Sequence, residues 1–223
     1  ALQDEPIFIA DGHHRYETAL NYRNEQREKA LQHGNAWTGS EGANAVMMMC
    51  ISTSDDGLIV LPTHRVVKNV APELIEHFND ALEAHFKVEL TATESSAAIQ
   101  AGERMAGVNA PSLRPRLGLH IDGQSYLLTL REGDNYIKSM DKNRSSAYNN
   151  LDVSVLHRLI LENELGIDPV KLAAGTHVVY TIDAAEAIEK VNLHEGDLAF
   201  LLRPTPVSQV QEVAAAGDKM PQK

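Results

Sequence analysis

Two apolar runs, Arg116–Ile121 and Ser125–Arg131, flank a turn built on Asp122-Gly123. Asp-Gly between alternating apolar segments is a strong hairpin signal, because a tight antiparallel turn needs residues that accept positive φ. A second hairpin is expected from Asn44–Ile51, the turn Asp55-Asp56-Gly57 and the returning run Leu58–Leu61. Near the C-terminus the pattern changes. A strand over His177–Ile182 leads to a helix capped by Asp183 and running to about Val191, and a strand over Asp197–Leu202 follows. Pro206 then opens a helix through Val207, Val210 and Val213 that closes at Gly217. Hairpins combined with strand-helix-strand units predict an α+β fold, a mixed sheet with hairpins and flanking helices.

The remaining elements fill in that frame. Pro6–Ala10 reads as a buried strand, Tyr16–Gln32 as a helix and His33–Gly42 as a glycine-rich loop. Pro72 opens a helix to about His85 with Leu74, Ile75, Phe78 and Leu82 on its apolar stripe, and Phe86–Leu90 is a short strand. A weaker helix is expected over Ser95–Met105. Residues 132–150 are polar, and Asn143-Arg144-Ser145-Ser146 is the expected disordered piece. Asp152 is placed as the cap of a helix through Val155, Leu156, Leu159 and Ile160 that ends near Gly166. A single strand at Pro6–Ala10 cannot bury both faces alone. Two regions are therefore expected. Residues 1–42 would be the end of a truncated N-terminal domain, and residues 43–223 a C-terminal α+β domain truncated at its own end.

At 43% hydrophobic and 23% charged, the 223 residues can bury a core. The net charge of −11 argues against nucleic acid and anionic membrane surfaces as partners. Cys50 is the one cysteine and follows three methionines, which suggests a buried thiol in a reducing compartment. No apolar run is long enough to span a membrane and no signal-peptide pattern opens the chain, so the cytoplasm is the expected location.

Chemistry concentrates in Asp11-Gly12-His13-His14-Arg15, between the apolar run Ile7–Ala10 and the first helix. The first N–H groups of a helix lack internal partners and sit at the positive end of its dipole, which makes an anion site. Gly12 permits a sharp turn and close approach of a ligand. Arg15 can fork onto phosphate or carboxylate oxygens, and a histidine can donate to phosphate or move a proton near neutral pH. Asp11 can cap the helix, hold a metal or take a proton from an attacking hydroxyl. Each residue also has a structural reading. Asp11 alone is a good N-cap, either histidine can pack under a sheet, and Arg15 can pair with Glu17 or an acid elsewhere. Metal binding is the rival chemistry. Adjacent histidines diverge by about 100° on a helix and rarely share an ion, so a metal would need one of them with Asp11 and His64. A second candidate is Thr63-His64-Arg65 after Leu61-Pro62, able to touch a phosphate or carboxylate, or to be the polar edge of a strand. A third is Asp218-Lys219-Met220-Pro221-Gln222-Lys223, where Lys223 is a possible substrate contact and solubility is the plainer reading.

The segments PIFIADGHHRYETALNYRNE, LIVLPTHRVV, LDVSVLHRLILE and DLAFLLRPTPVSQVQEVAAAGDKMPQK, spanning Pro6 to Lys223, resemble the C-terminal half of the family known as domain of unknown function 1015. That resemblance implies further sequence at both ends. The Asp-Gly-His-His-Arg turn is also similar to the phosphate-binding motif of the ParB/sulfiredoxin-like fold, in the form found in nucleotide-dependent free serine kinases. This second likeness implies Asp11 beside the reacting centre, Gly12, His13, His14 and Arg15 around phosphate, and His14 as a catalytic partner. It implies ATP or ADP with Mg²⁺ as cofactor and a small hydroxyl compound such as free serine as substrate. The kinases draw a further carboxylate base from upstream of the motif; it is not identified in this sequence, and its expected place is before Ala1. Sulfiredoxins place a catalytic cysteine in the motif, which this chain lacks there. Partition proteins of the group use basic DNA-binding helices, which this acidic chain does not show. The leading expectation is phosphoryl transfer to a small hydroxyl compound. The alternatives are a non-catalytic nucleotide or phospholigand binder and a metal-dependent hydrolase using the histidines.

Overall fold

The computed structural model describes residues 6–55, 57–92, 114–132 and 135–221. The helix expected over Ser95–Met105 and Lys223 lie outside the described residues. The chain forms two compact units, Ala1–Ile59 and Val60–Lys223.

The first unit is dominated by helix α1, His13–Gln32. Its composition is mostly polar, and none of the described residues of this unit is buried. The loop after the helix is organised by Glu41. Its carboxylate accepts the N–H groups of Thr38 (2.7 Å) and Gly39 (2.8 Å) and the Asn44 side-chain amide (2.9 Å). These bonds, led by that from Thr38, hold the Glu41 carboxyl at about 2. A short 3₁₀ turn, Gly42–Asn44, follows.

Here the structure departs from the sequence pattern. Pro6–Ala10 enters no ladder, and Asn44–Ile51 and Leu58–Leu61 do not pair as a hairpin. Met47 is 98% exposed, Met49 is 83% exposed, and Cys50 is exposed rather than a buried thiol. An apolar run becomes a strand only when a neighbouring strand takes its backbone hydrogen bonds. No described segment of this unit does so.

The second unit is α+β. Its six strands are β1 His64–Val67, β2 Phe86–Ala92, β3 Arg116–Ile121, β4 Gln124–Leu130, β5 Val178–Thr181 and β6 Leu198–Leu201. They form one sheet in the order β2-β4-β3-β6-β1-β5. All its ladders are antiparallel, so the sheet is not the expected mixed one. The reason is β1. It slots between β5 and β6 and opposes both, so the strand-helix-strand unit spans a gap that an antiparallel strand fills. The β3–β4 hairpin turns on Asp122 and Gly123, at φ 49° and 71°, as their residue types predict.

Helices cover the sheet on two sides. They are α2 Pro72–Glu76, α3 Phe78–His85, α4 Ser146–Asn149, α5 Asp152–Val155, α6 Pro169–Ala173, α7 Ala184–Asn192 and α8 Val207–Ala215. α5 continues directly as a π-helix, Leu156–Glu162. The larger core joins Val67, Leu119, Leu198 and Phe200 of the strands to Phe78 and Leu82 of α3 and to Leu156, Leu159 and Ile160 of the π-helix. Phe78 meets Phe200 edge-on, ring centroids 6.4 Å apart. On the opposite face Val66, Ala199 and Leu201 pack against Ala184, Ala187, Ile188 and Val191 of α7. The helix expected over Pro72–His85 is interrupted at His77.

Three polar anchors fix these helices. Asp183 caps α7 as expected, accepting from Ala185 N (2.8 Å) and Glu186 N (3.2 Å). Asp152 does not cap α5, whose N-cap is Leu151. Its carboxylate instead takes Arg203 in a two-point pair, both bonds 2.8 Å, and accepts Arg116 N at 3.0 Å. Asn143–Ser146 is ordered, not disordered. Asp218 accepts from Ser145 N at 2.6 Å and from Arg144 at 3.2 Å, and Ser145 caps α4. Asp218 is thereby a structural anchor of the third candidate segment. No described helix is long and apolar enough to cross a membrane.

Gly196 is buried where the chain enters β6. A Cβ there would overlap Val66 Cγ1 and press on Val67 O at 3.2 Å. Gly196→Ala is expected to destabilise the protein by about 1–3 kcal/mol. The penalty shrinks in a Val66→Ala background, because the obstructing methyl is gone. Urea unfolding of the four-member cycle measures this, and an unchanged penalty would contradict the packing.

Candidate functional site

The motif Asp11–Arg15 occupies the start of α1. The chain reaches it in an extended, unpaired segment, bends at Asp11 and turns at Gly12, whose φ is 85°. That left-handed conformation costs glycine little and most residues much. Gly12 O accepts Tyr16 N at 3.0 Å, so Gly12 is the N-cap and His13 the first helical residue.

No side chain caps this helix. Asp11 therefore does not play the capping role its type suggested. Its Oδ2 takes Arg15 Nη2 at 3.2 Å, in a pair exposed on both sides. Arg15 lies across Gly12, since a Cβ there would meet Nη2 at 2.9 Å and Cζ and Nε at 3.1 Å. Glycine is required here for its φ, while the exposed Arg15 tip that lies over it could move aside. Arg15 pairs with Asp11 rather than with Glu17. Glu17 lies 3.7 Å from His14 Nδ1. The two histidines are consecutive on the first turn. The result is an uncapped helix N-terminus with an arginine and a carboxylate beside it, the components of an anion cradle with a proton acceptor at its rim.

Thr63-His64-Arg65 behaves differently. His64 and Arg65 lie in β1, where neighbouring side chains leave opposite faces of the sheet. The three residues therefore cannot act on one ligand together. His64 is 1% exposed, on the α7 side, and its Nδ1 accepts Leu202 N at 3.1 Å. Burial, then the Arg65 charge, lowers its pKa from 6.5 to about 4. A histidine held neutral with its lone pair spent on a backbone N–H is a structural residue. Arg65 is 3% exposed, on the other face, and donates to Thr63 O. Its Cζ sits 5.4 Å from the centroid of the Tyr180 ring on β5. Burial lowers its pKa to about 10, and it remains cationic at neutral pH.

Two further histidines were not singled out in the sequence: His120, which is buried, and His157, which is half-buried with its Nε2 enclosed. His120 on β3 bonds Ser125 Oγ (2.8 Å) and Asn192 Oδ1 (3.0 Å). His157, in the π-helix, is held neutral at about 3 by burial and by Arg65. The only sequence signal for either was a histidine set among apolar core positions. Among the described residues, no three His, Cys, Asp or Glu side chains gather in a set able to hold a metal.

A family profile described as "Protein of unknown function (DUF1015)" matches residues 1–154. The chain belongs to the DUF1015 family. The matched part is the N-terminal part of this chain, including the Asp11–Arg15 motif and β1. The later segments, from the π-helix to Lys223, fall outside it. No curated protein and no solved structure matches the chain.

The two neutral histidines set an acid limit on the fold. Each has a folded pKa below the ordinary value of 6.5. Their stabilisation is complete above 6.5 and is lost as pH falls through about 4 for His64 and about 3 for His157. For His64 alone the loss amounts to roughly 3 kcal/mol. Urea midpoints recorded from pH 7.5 downward should fall below pH 6.5, less steeply in His64→Gln. A flat profile would refute the buried neutral state.

Proposed function

We propose that the chain carries the phosphate-binding part of a nucleotide-dependent phosphotransferase acting on a small hydroxyl compound such as free serine. The observation that supports this reading is the start of α1. An uncapped helix N-terminus, a glycine at φ 85° and an arginine folded over it form a cradle for a tetrahedral anion. ATP or ADP, carried in with Mg²⁺, would supply the transferable phosphoryl group. The likeness of the motif to the ParB/sulfiredoxin-like phosphate site points the same way.

In this reading the first-turn backbone N–H groups hold phosphate oxygens, and Arg15 swings from Asp11 to the phosphate and offsets its charge. The Asp11 carboxylate, released by that movement, accepts the proton of the attacking hydroxyl. His14 donates to the phosphate from the same turn. The substrate oxygen gains the phosphoryl group, the nucleotide leaves one phosphate shorter, and Asp11 passes its proton to water.

The test is a transfer assay on the intact protein with ATP and with ADP against a panel of free amino acids and small alcohols. Asp11→Asn should lower turnover by roughly 10²–10⁴-fold. Arg15→Ala should abolish nucleotide binding while changing stability by less than about 1 kcal/mol, because the pair it breaks is exposed. Tight nucleotide binding that requires Arg15 but gives no turnover would establish a sensor instead. No binding and no transfer with any acceptor would end the proposal.

A further inference from the structure

The first unit holds the chain's one tryptophan outside any core. Trp37 is half-buried, in a unit none of whose described residues is buried. Tryptophan is enriched where one side of a ring meets apolar matter and the other meets water. The backbone around it is tied down. Asn35 N donates to Ala30 O at 2.9 Å, which turns the chain back after α1. Glu41 then gathers the loop. Its Oε1 accepts from Thr38 N and Thr38 Oγ1, and its Oε2 from Gly39 N and the Asn44 amide, all at 2.7–2.9 Å. The 3₁₀ turn Gly42–Asn44 lies against α1. Between helix and loop is a groove of about 370 Å³. Gln26, Lys29 and His33 line its helix side, and Asn35, Trp37 and Glu41 its loop side. Lys29, His33 and Asn35 are exposed, so the groove opens directly to solvent.

The polar groups of this groove suit a neutral occupant. Both Glu41 oxygens are taken by loop donors, so the carboxylate is a fixed wall, and its charge is opposed by that of Lys29. His33 Nδ1 lies 2.7 Å from Lys29 O. A carbonyl only accepts, so Nδ1 carries the proton, and Nε2 of the neutral ring is an acceptor. Lys29 is a donor, and the amides of Gln26 and Asn35 both donate and accept. We propose that the groove binds a nucleobase, as the free base or nucleoside, laid on the indole of Trp37 with its edge toward Gln26, Lys29 and His33. Aromatic stacking and edge hydrogen bonds are how proteins hold an unpaired base. The net charge of −11 opposes a polyanion, so the occupant is a single base and not a strand. The volume lies in the range of about 300–1,000 Å³ in which small molecules are held. The site is not the base pocket of a nucleotide resting on Asp11–Arg15. From His13 to Lys29 the helix runs about 24 Å, farther than one nucleotide reaches. It therefore stands or falls independently of phosphoryl transfer.

The experiment uses the full chain carrying Arg15→Ala, which disables the anion cradle. Emission from Trp37, the single tryptophan, reads this groove alone. Adenosine, inosine, cytidine and uridine are titrated separately, with ribose and benzoate as controls for the sugar and for a plain aromatic anion. Saturable quenching by at least one nucleoside is expected, and none by ribose. His33→Phe keeps a ring but removes Nε2, and should weaken that binding roughly threefold to tenfold. Trp37→Ala, followed by calorimetry, should weaken it roughly tenfold or more. If no nucleoside quenches saturably, if benzoate binds as well as the best nucleoside, or if Trp37→Ala binds as before, the groove is not a nucleobase site. Should Trp37→Ala lose its helix by circular dichroism, His33→Phe decides, and unchanged affinity there overturns the proposal.

Discussion

A guanidinium taken out of water has to be compensated where it stands, and Arg65 stands in the second strand from the edge of the sheet. Strand geometry dictates much of what surrounds it. Because side chains alternate, placing Arg65 toward the π-helix places His64 toward α7, and Val66 and Val67 divide in the same way. Each face then needs its own cover. On the α7 side the cover is small and apolar, with alanines facing Val66 and Ala199. On the other side it is the larger core around Phe78 and Phe200, with His157 close enough to feel the arginine. His64 neutral, His157 neutral and Arg65 charged are therefore linked consequences of one buried strand between β5 and β6.

The two units are held by different physics. The second closes helices over both faces of a sheet and ties their ends with Asp152–Arg203, Asp183 and Asp218. The first has no buried residue among those described, and its helix is polar around its circumference. Its local order comes from hydrogen bonding, as in the Glu41 loop and the turn at Gly12. The Asp11–Arg15 motif sits on that exposed helix. Its Asp11–Arg15 pair is exposed on both sides, so breaking it costs little.

Where residue chemistry acts locally, the sequence was readable. Asp122-Gly123 made its hairpin, Asp183 capped α7, and Gly12 turned the chain into α1. Where the outcome depended on a distant partner, it was not. Asp152 looked like a cap, but Arg203 and the start of β3 claimed its carboxylate first. Asn143–Ser146 looked too polar to order, but Asp218 supplied acceptors that lie far along the chain. The methionine run looked like a strand, but among the described residues no neighbouring strand takes its hydrogen bonds. Thr63-His64-Arg65 looked like one polar cluster, although alternation separates its members as soon as the segment becomes a strand.

The sequence by itself determined that this chain is α+β, that a sharp glycine turn opens its first helix, and that an arginine and an acid flank that turn. These follow from φ preferences, capping chemistry and periodicity, all of which act within a few residues. Only the tertiary structure decided that every ladder is antiparallel and that His64 and Arg65 serve opposite faces. Those outcomes depend on which strand inserts beside which. Strand insertion is settled by burial of surfaces far apart in the chain, and no local pattern encodes it.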